Sequence, residues 1–195
     1  LAEGLARHVF ETTIGVQLDS QVPRITYQDA MDRYGTDKPD TRFGFEIVDI
    51  TEAAEAADFQ VFKNVLGSGG QVRAINAKQC GSFSRKQIDD LTKFVGQFGA
   101  KGLAWIKVTD QGLESSIVKF FPDQAQVILR ERLNAEPGDL LLFVADRPAV
   151  VTQALGNLRL ELAKQRDLLK SNDYSLLWVT KFPLLEYDDE EKRFV

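Results

Sequence analysis

Tyr34-Gly35-Thr36-Asp37-Lys38-Pro39-Asp40-Thr41-Arg42-Phe43-Gly44 packs two glycines, one proline and four charged side chains into eleven residues. Gly35 can adopt φ > 0 and stop a helix, while Pro39 fixes its own φ and biases Lys38 toward extended geometry. Asp37, Lys38, Asp40 and Arg42 therefore sit on backbone held between two elements. Composition alone reads this as a polar connector, because turns favour Gly, Pro and Asp for local reasons. Asp37 and Asp40 make the best paired-carboxylate candidate in the chain, but the flanking Lys38 and Arg42 point to a structural ion network rather than acid–base chemistry.

Upstream of the loop, Thr26 with Asp29 three residues on forms a capping-box pattern for a helix running to about residue 33. Residues 1–15 carry Leu1, Leu5, His8, Val9 and Thr12 near one helical face and end at Gly15, with 16–24 as a connector. Downstream, 45–50 alternates as a strand. The character then changes: a short Ala- and Glu-rich helix (51–57), a strand (59–62), a glycine turn (67–70) and a second strand (71–76) suggest a hairpin. The glycine cluster lacks the Gly-x-x-x-x-Gly-Lys-Ser/Thr spacing of a phosphate cradle.

Ser84 and Gln87 cap the clearest helix, whose Ile88, Leu91, Val95 and Phe98 form one apolar stripe ending before Gly99. A strand at 103–108, a helical turn or bent strand at 116–121 and a helix at 123–133 follow. Leu140-Leu141-Leu142-Phe143-Val144-Ala145 is an unbroken apolar run, the pattern of a strand buried on both faces. Asp146 is placed as an N-cap and Pro148 in the first turn of a helix with Val151, Leu155, Leu158 and Leu162 on its core face. Strand-like runs at 175–180 and 182–187, the latter interrupted by Pro183, lead to an acidic turn (188–191) and a hairpin return at 193–195. The fold class expected is α+β.

Composition narrows the chemistry. The chain has 195 residues, 44% hydrophobic and 27% charged, enough for a real core. One His (His8) and one Cys (Cys80) leave no zinc site and no Cys-His or Ser-His-Asp machinery, and a lone cysteine fits a reducing cytosol. His8 reads as a packed or half-exposed helix residue. A net charge of −5 argues against nucleic-acid binding by bulk electrostatics, though not against local cationic contacts. No apolar run is long enough to span a bilayer.

The 34–44 run, with Ile25-Thr26-Tyr27-Gln28-Asp29-Ala30-Met31 before it, closely resembles the stretch after motif 2 of bacterial-type aspartyl-tRNA synthetases. Those enzymes usually read Gly-Ser-Asp-Lys-Pro-Asp-Leu-Arg-Phe-Gly there; Thr36 and Thr41 replace the serine and the leucine. Gly102-Leu103-Ala104-Trp105-Ile106-Lys107-Val108 resembles a strand of that family's insertion domain, a type that recurs in the B subunit of the tRNA-dependent amidotransferase. Residues 138–146, followed by Ala154-Leu155-Gly156-Asn157-Leu158-Arg159, resemble the return to the catalytic domain. Trp178-Val179-Thr180-Lys181-Phe182-Pro183 resembles a catalytic strand usually reading Trp-Val-x-Asp-Phe-Pro, with Lys181 in place of the aspartate.

The resemblance implies an internal piece of a class II synthetase. Residues 1–50 would belong to the catalytic domain, 51–145 to an α+β insertion domain of antiparallel strands and helices, and 146–195 to an incomplete return into the catalytic domain. The parent would activate aspartate with ATP and Mg²⁺ and transfer it to the tRNA 3′ end, as a cytoplasmic, homodimeric class of enzyme with tRNA, aspartate and ATP as partners and no membrane. Motifs 1, 2 and 3 would lie outside 1–195, so no catalytic residue, metal or cofactor is expected in the piece, which should be inactive alone. Asp37, Lys38, Asp40 and Arg42 are expected to support the tRNA end or the catalytic domain. The alternatives are a stand-alone tRNA- or protein-binding module of the insertion fold and a small self-contained enzyme. The flanking 34–44 and 178–188 segments disfavour the module, and the lack of a nucleophile–base set disfavours the enzyme.

Overall fold

A computed structural model describes residues 2–19, 21–185, 187–188 and 191–194, with the side chains of 187 and 188 excepted. In chain order the elements are α1 (Ala2–Ile14), β1 (Arg24–Thr26), α2 (Tyr27–Tyr34), β2 (Ile47–Asp49), α3 (Thr51–Ala56), α4 (Gln60–Gly67) and β3 (Gln71–Ala77). Then come α5 (Arg85–Gly96), β4 (Ala104–Thr109), β5 (Gly112–Glu114), a 3-10 turn (Val118–Phe120), α6 (Asp123–Arg132) and β6 (Leu140–Asp146). The last are α7 (Pro148–Gln165), β7 (Trp178–Thr180), β8 (Tyr187–Asp188) and β9 (Arg193–Phe194).

The apolar run that forms β6 explains the architecture. A strand apolar at every position needs cover on both faces, and β6 lies central in an antiparallel sheet of order β2-β3-β6-β4-β5. Leu140, Leu142 and Val144 face one core with Ile88, Leu91 and Val95 of α5 and Val151, Leu155, Leu158 and Leu162 of α7. Leu141 and Phe143 face the other, with Ala53 and Ala54 of α3, Phe62 of α4 and Ala125 and Leu129 of α6. Helices thus cover both faces of an antiparallel sheet, and the α+β class is correct. A separate parallel pair, β1 with β7, sets Arg24, Ile25 and Thr26 beside Trp178, Val179 and Thr180.

Local signals with a complete hydrogen-bonding logic appear in the structure. Thr26 and Asp29 form a reciprocal capping box at α2, and Ser84 and Gln87 form another at α5. Before residue 150, four expectations need correction. Residues 59–62 are not a strand: helix α4 begins at Gln60, only Phe62 of it is buried, and the rings of Phe59 and Phe62 meet edge to face with centroids 4.9 Å apart. The 67–70 turn therefore joins a helix to β3, so no hairpin forms there. Asp146 ends β6 instead of capping α7; Arg147 is the cap residue, and Asp146 Oδ1 accepts from the Arg147 amide at 2.8 Å. His8, expected to be packed or half-exposed, is exposed, and the α1 stripe it shares faces outward, with Leu5 64% and Val9 43% exposed; Phe10 packs on Tyr174. Leu1 lies outside the described residues.

Near the end, residues 182–185 form no strand, and Phe182, Leu184 and Leu185 are exposed. The hairpin is present as β8 paired with β9, Tyr187 opposite Phe194 and Asp188 opposite Arg193. Asp189, Glu190 and Val195 of the expected turn and return lie outside the described residues, as does Glu186.

Candidate functional site

The 34–44 loop is set by its first residue after α2. Gly35 has φ 72° and its amide donates to Met31 O, a left-handed helix stop. A Cβ on Gly35 would lie 2.5 Å from Thr152 O and 2.7 Å from Gly156 Cα, both in α7. Gly156 has the same relation in reverse, since a Cβ there would come within 3.0 Å of Gly35 O. Two glycines thus let the end of α2 rest backbone to backbone on α7.

A buried arginine completes the joint. Arg159 of α7 is 0% exposed and has no carboxylate partner among the described residues; Nη2 donates to the carbonyls of Asp40 (3.0 Å) and Gly44 (3.2 Å), and Nε to that of Phe45 (3.2 Å). Its guanidinium lies over the rings of Tyr34 and Phe43, 4.8 and 4.7 Å from their centroids. Burial pushes its pKa down, against the pull of Tyr34, Asp40 and Glu46, yet an arginine so placed keeps its charge. Phe45, buried at φ 62°, is in the left-handed region that a bulky side chain seldom enters. The Arg159 bond to its carbonyl helps hold that bend, from which the chain turns into β2.

The loop's charged residues divide. Asp40 and Arg42 bind each other through two parallel contacts, Nε to Oδ1 at 2.9 Å and Nη2 to Oδ2 at 2.6 Å, and the Arg42 amide also donates to Asp40 Oδ1. The side-chain bond from Arg42 holds the Asp40 carboxyl below the usual carboxylate range. Arg42 Nη1 reaches on to the carbonyls of Lys170 (3.1 Å) and Asp173 (3.3 Å), beyond α7. Lys38 and Asp37 make no side-chain hydrogen bond or ion pair among the described residues, and Lys38 is exposed. The structure brings all four onto one loop but joins only Asp40 with Arg42. Arg159 and Gly156 were missed as site residues; their only sequence sign was their place in the 154–159 run.

Further contacts tie the same region together. Arg73 of β3 donates to Asp32 Oδ1 (2.8 Å) and to Asp32 O (3.1 Å) in α2. Arg33 grips Glu46 with two bonds, and Tyr34 Oη donates to it at 3.1 Å. On the far side of β1, Glu3 Oε1 accepts from Arg24 Nη2 and from Trp178 Nε1, both at 2.9 Å. The arrangement can hold a polar loop rigidly against a helix; among the described residues it assembles no nucleophile with a base, and no group of His, Cys, Asp and Glu suited to a metal ion.

Helices over both faces of this antiparallel sheet, entered and left through a clamped loop, define the class of domain. Residues 62–155 match the GAD domain family. The chain is 51% identical to the aspartate–tRNA(Asp/Asn) ligase of Heliobacterium modesticaldum over all of its length and 32% of that protein's. It is 50% identical to the aspartate–tRNA(Asp/Asn) ligase of Symbiobacterium thermophilum and 47% to the aspartate–tRNA ligase of Staphylococcus carnosus, covering 33% of each. Over its whole length the chain is similar to aspartate–tRNA ligases, and within it residues 62–155 carry the likeness to the GAD domain. The chain spans about a third of the length of these relatives.

Proposed function

We propose that the full-length protein containing this segment is an aspartate–tRNA ligase, which activates aspartate with ATP and Mg²⁺ and transfers it to the tRNA 3′ end as a homodimer in the cytoplasm. This segment is its joint between catalytic domain and GAD domain, and it is inactive alone. The observation that carries the reading is that the likeness to ligases runs unbroken through the GAD residues and both flanks. The division into 1–50, 51–145 and 146–195 is one of sequence. In space the flanks supply β2 and α7 to the sheet that 51–145 builds, and they meet each other in the β1–β7 pair.

The residues present do not fit ATP or Mg²⁺. Arg42 is occupied by Asp40 and two carbonyls, Arg159 by three carbonyls, and no acidic group suited to a cation gathers among the described residues. No chemical step is assigned to them. Lys38 and Arg42 serve the tRNA end: Arg42 shapes the loop, and Lys38 presents on it a cation without an ion pair among the described residues. In the full-length ligase, Lys38→Ala and Arg42→Ala should slow tRNA charging more than aspartate-dependent ATP–pyrophosphate exchange, and residues 1–195 alone should show no exchange. Equal slowing of both steps would remove the role given to the loop, and exchange by 1–195 would remove the assignment of the chemistry elsewhere.

A further inference from the structure

Two clefts meet along the clamped loop. One, of about 480 Å³, lies between residues 42–45, the turn after β3 and the segment after α7, with Arg42, Lys78, Arg166 and Lys170 on its walls. The other, of about 310 Å³, runs from Lys38 past Asp40 to Tyr174. Arg42 and Asp173 line both, so the two form one groove. Its floor includes the ring edges of Phe43 and Phe45, each 8% exposed.

The charges along it do not cancel. Five cations line the groove against two acids, Asp40 and Asp173. Asp40 is taken by Arg42, and Lys78 by Asp139 (3.0 Å) and Glu136 (3.2 Å). That leaves Lys38, Arg166 and Lys170 without an ion pair among the described residues, facing the single carboxylate of Asp173. The three come from both sides of the groove, and the Arg42 bonds to Lys170 O and Asp173 O hold those sides together. On a chain of net charge −5, a polyanion is repelled at long range and gains only where cations are locally in excess.

We propose that this groove is a phosphate track, binding the sugar–phosphate backbone of the tRNA with Lys38, Arg166 and Lys170 each facing a phosphate oxygen. The proposal rests on the ligase reading above. Separate cations spread along an open groove suit successive phosphates. A single carboxylate ligand would call for a convergent guanidinium fork, and the fork of Arg42 is already filled by Asp40. Lys and Arg contacts to phosphate position the nucleic acid without reading its sequence.

The test is filter binding of tRNA to the full-length ligase across a KCl series. Arg166→Gln and Lys170→Gln, both at exposed positions, should each weaken binding and lower the slope of log K against log salt by about one. Asp173→Asn should tighten binding, and Lys86→Ala, out on α5, should change neither affinity nor slope. Melting temperatures of the variants confirm that they fold. Unchanged slopes for Arg166→Gln and Lys170→Gln, with normal binding by the unmodified ligase, would overturn the groove and leave the ligase reading standing. Failure of the unmodified ligase to bind tRNA would overturn both.

Discussion

A buried guanidinium with no carboxylate partner is held in this protein by carbonyl oxygens and aromatic faces alone. Removing Arg159 leaves the buried Phe45 carbonyl without its donor and takes a second tie from the part-buried carbonyls of Asp40 and Gly44. Arg159→Met should cost about 2–4 kcal/mol in urea unfolding, the range for losing several hydrogen bonds to a charged donor. Asp139 is a buried carboxylate with a fuller set of partners than Arg159, whose Nη1 has none among the described residues: it accepts from the amides of Gln79 and Glu136, from Asn76 Nδ2 and from Lys78 Nζ. Burial works to raise its pKa, but these donors outweigh it and leave the carboxyl below its ordinary value. A depressed carboxylate stabilises the fold above its unfolded pKa, and that contribution is lost as pH falls through the folded value. Asp139→Asn should therefore cost about 2–3 kcal/mol at pH 7, and the gap to the unmodified protein should narrow as unfolding is repeated below pH 4. Neither arrangement was legible in the sequence. Arg159 reads there as one more polar residue in a helix and Asp139 as a turn residue, because their partners lie far along the chain.

Elements were legible where their signals are short-ranged. The two capping boxes involve residues three apart, and the β6 run declares double-sided burial by its composition. The 59–62 segment failed for the same reason in reverse: Phe59, Val61 and Phe62 match a short strand, and packing of Phe62 against Phe121 and Phe143 decides for helix. The contact of α2 with α7 depends on glycines at both ends. Gly35→Ala meets a φ of 72° as well as Thr152 O, and should destabilise more than Gly156→Ala, by about 1 kcal/mol or more beyond it. Gly96, with open space around its Cβ position and helical backbone, is the contrast: Gly96→Ala should stabilise by about 0.4–1 kcal/mol. Thermal melts of the three variants rank them directly.

At the scale of the whole molecule, the sequence reads as three consecutive segments, and β2 and α7 from the outer two pack with the sheet of the middle one. The fold class followed from strand and helix patterns, while the antiparallel character of the middle segment was implied by the family resemblance. That 47–49 would complete the sheet edge, and that 148–165 would roof it, did not, because strand neighbours distant in sequence leave no periodic trace. Burial separates the parts as well: α5, β6 and α7 are packed in the cores, and β1 and β7 are only partly covered.

The β1–β7 pair has a kinetic consequence. Residues 24–26 must wait for 178–180 before they can pair, and closing so long a loop of flexible chain carries an entropic cost that grows with its length. If the sheet and its two helical covers form first, the intervening chain is already compact and the closure that remains is short. Folding should then proceed from the middle of the sequence outward, with the two flanks zipping together last. Pulsed hydrogen exchange during refolding would register this as early protection of β3 and β6 amides and late protection at the Ile25 and Val179 amides.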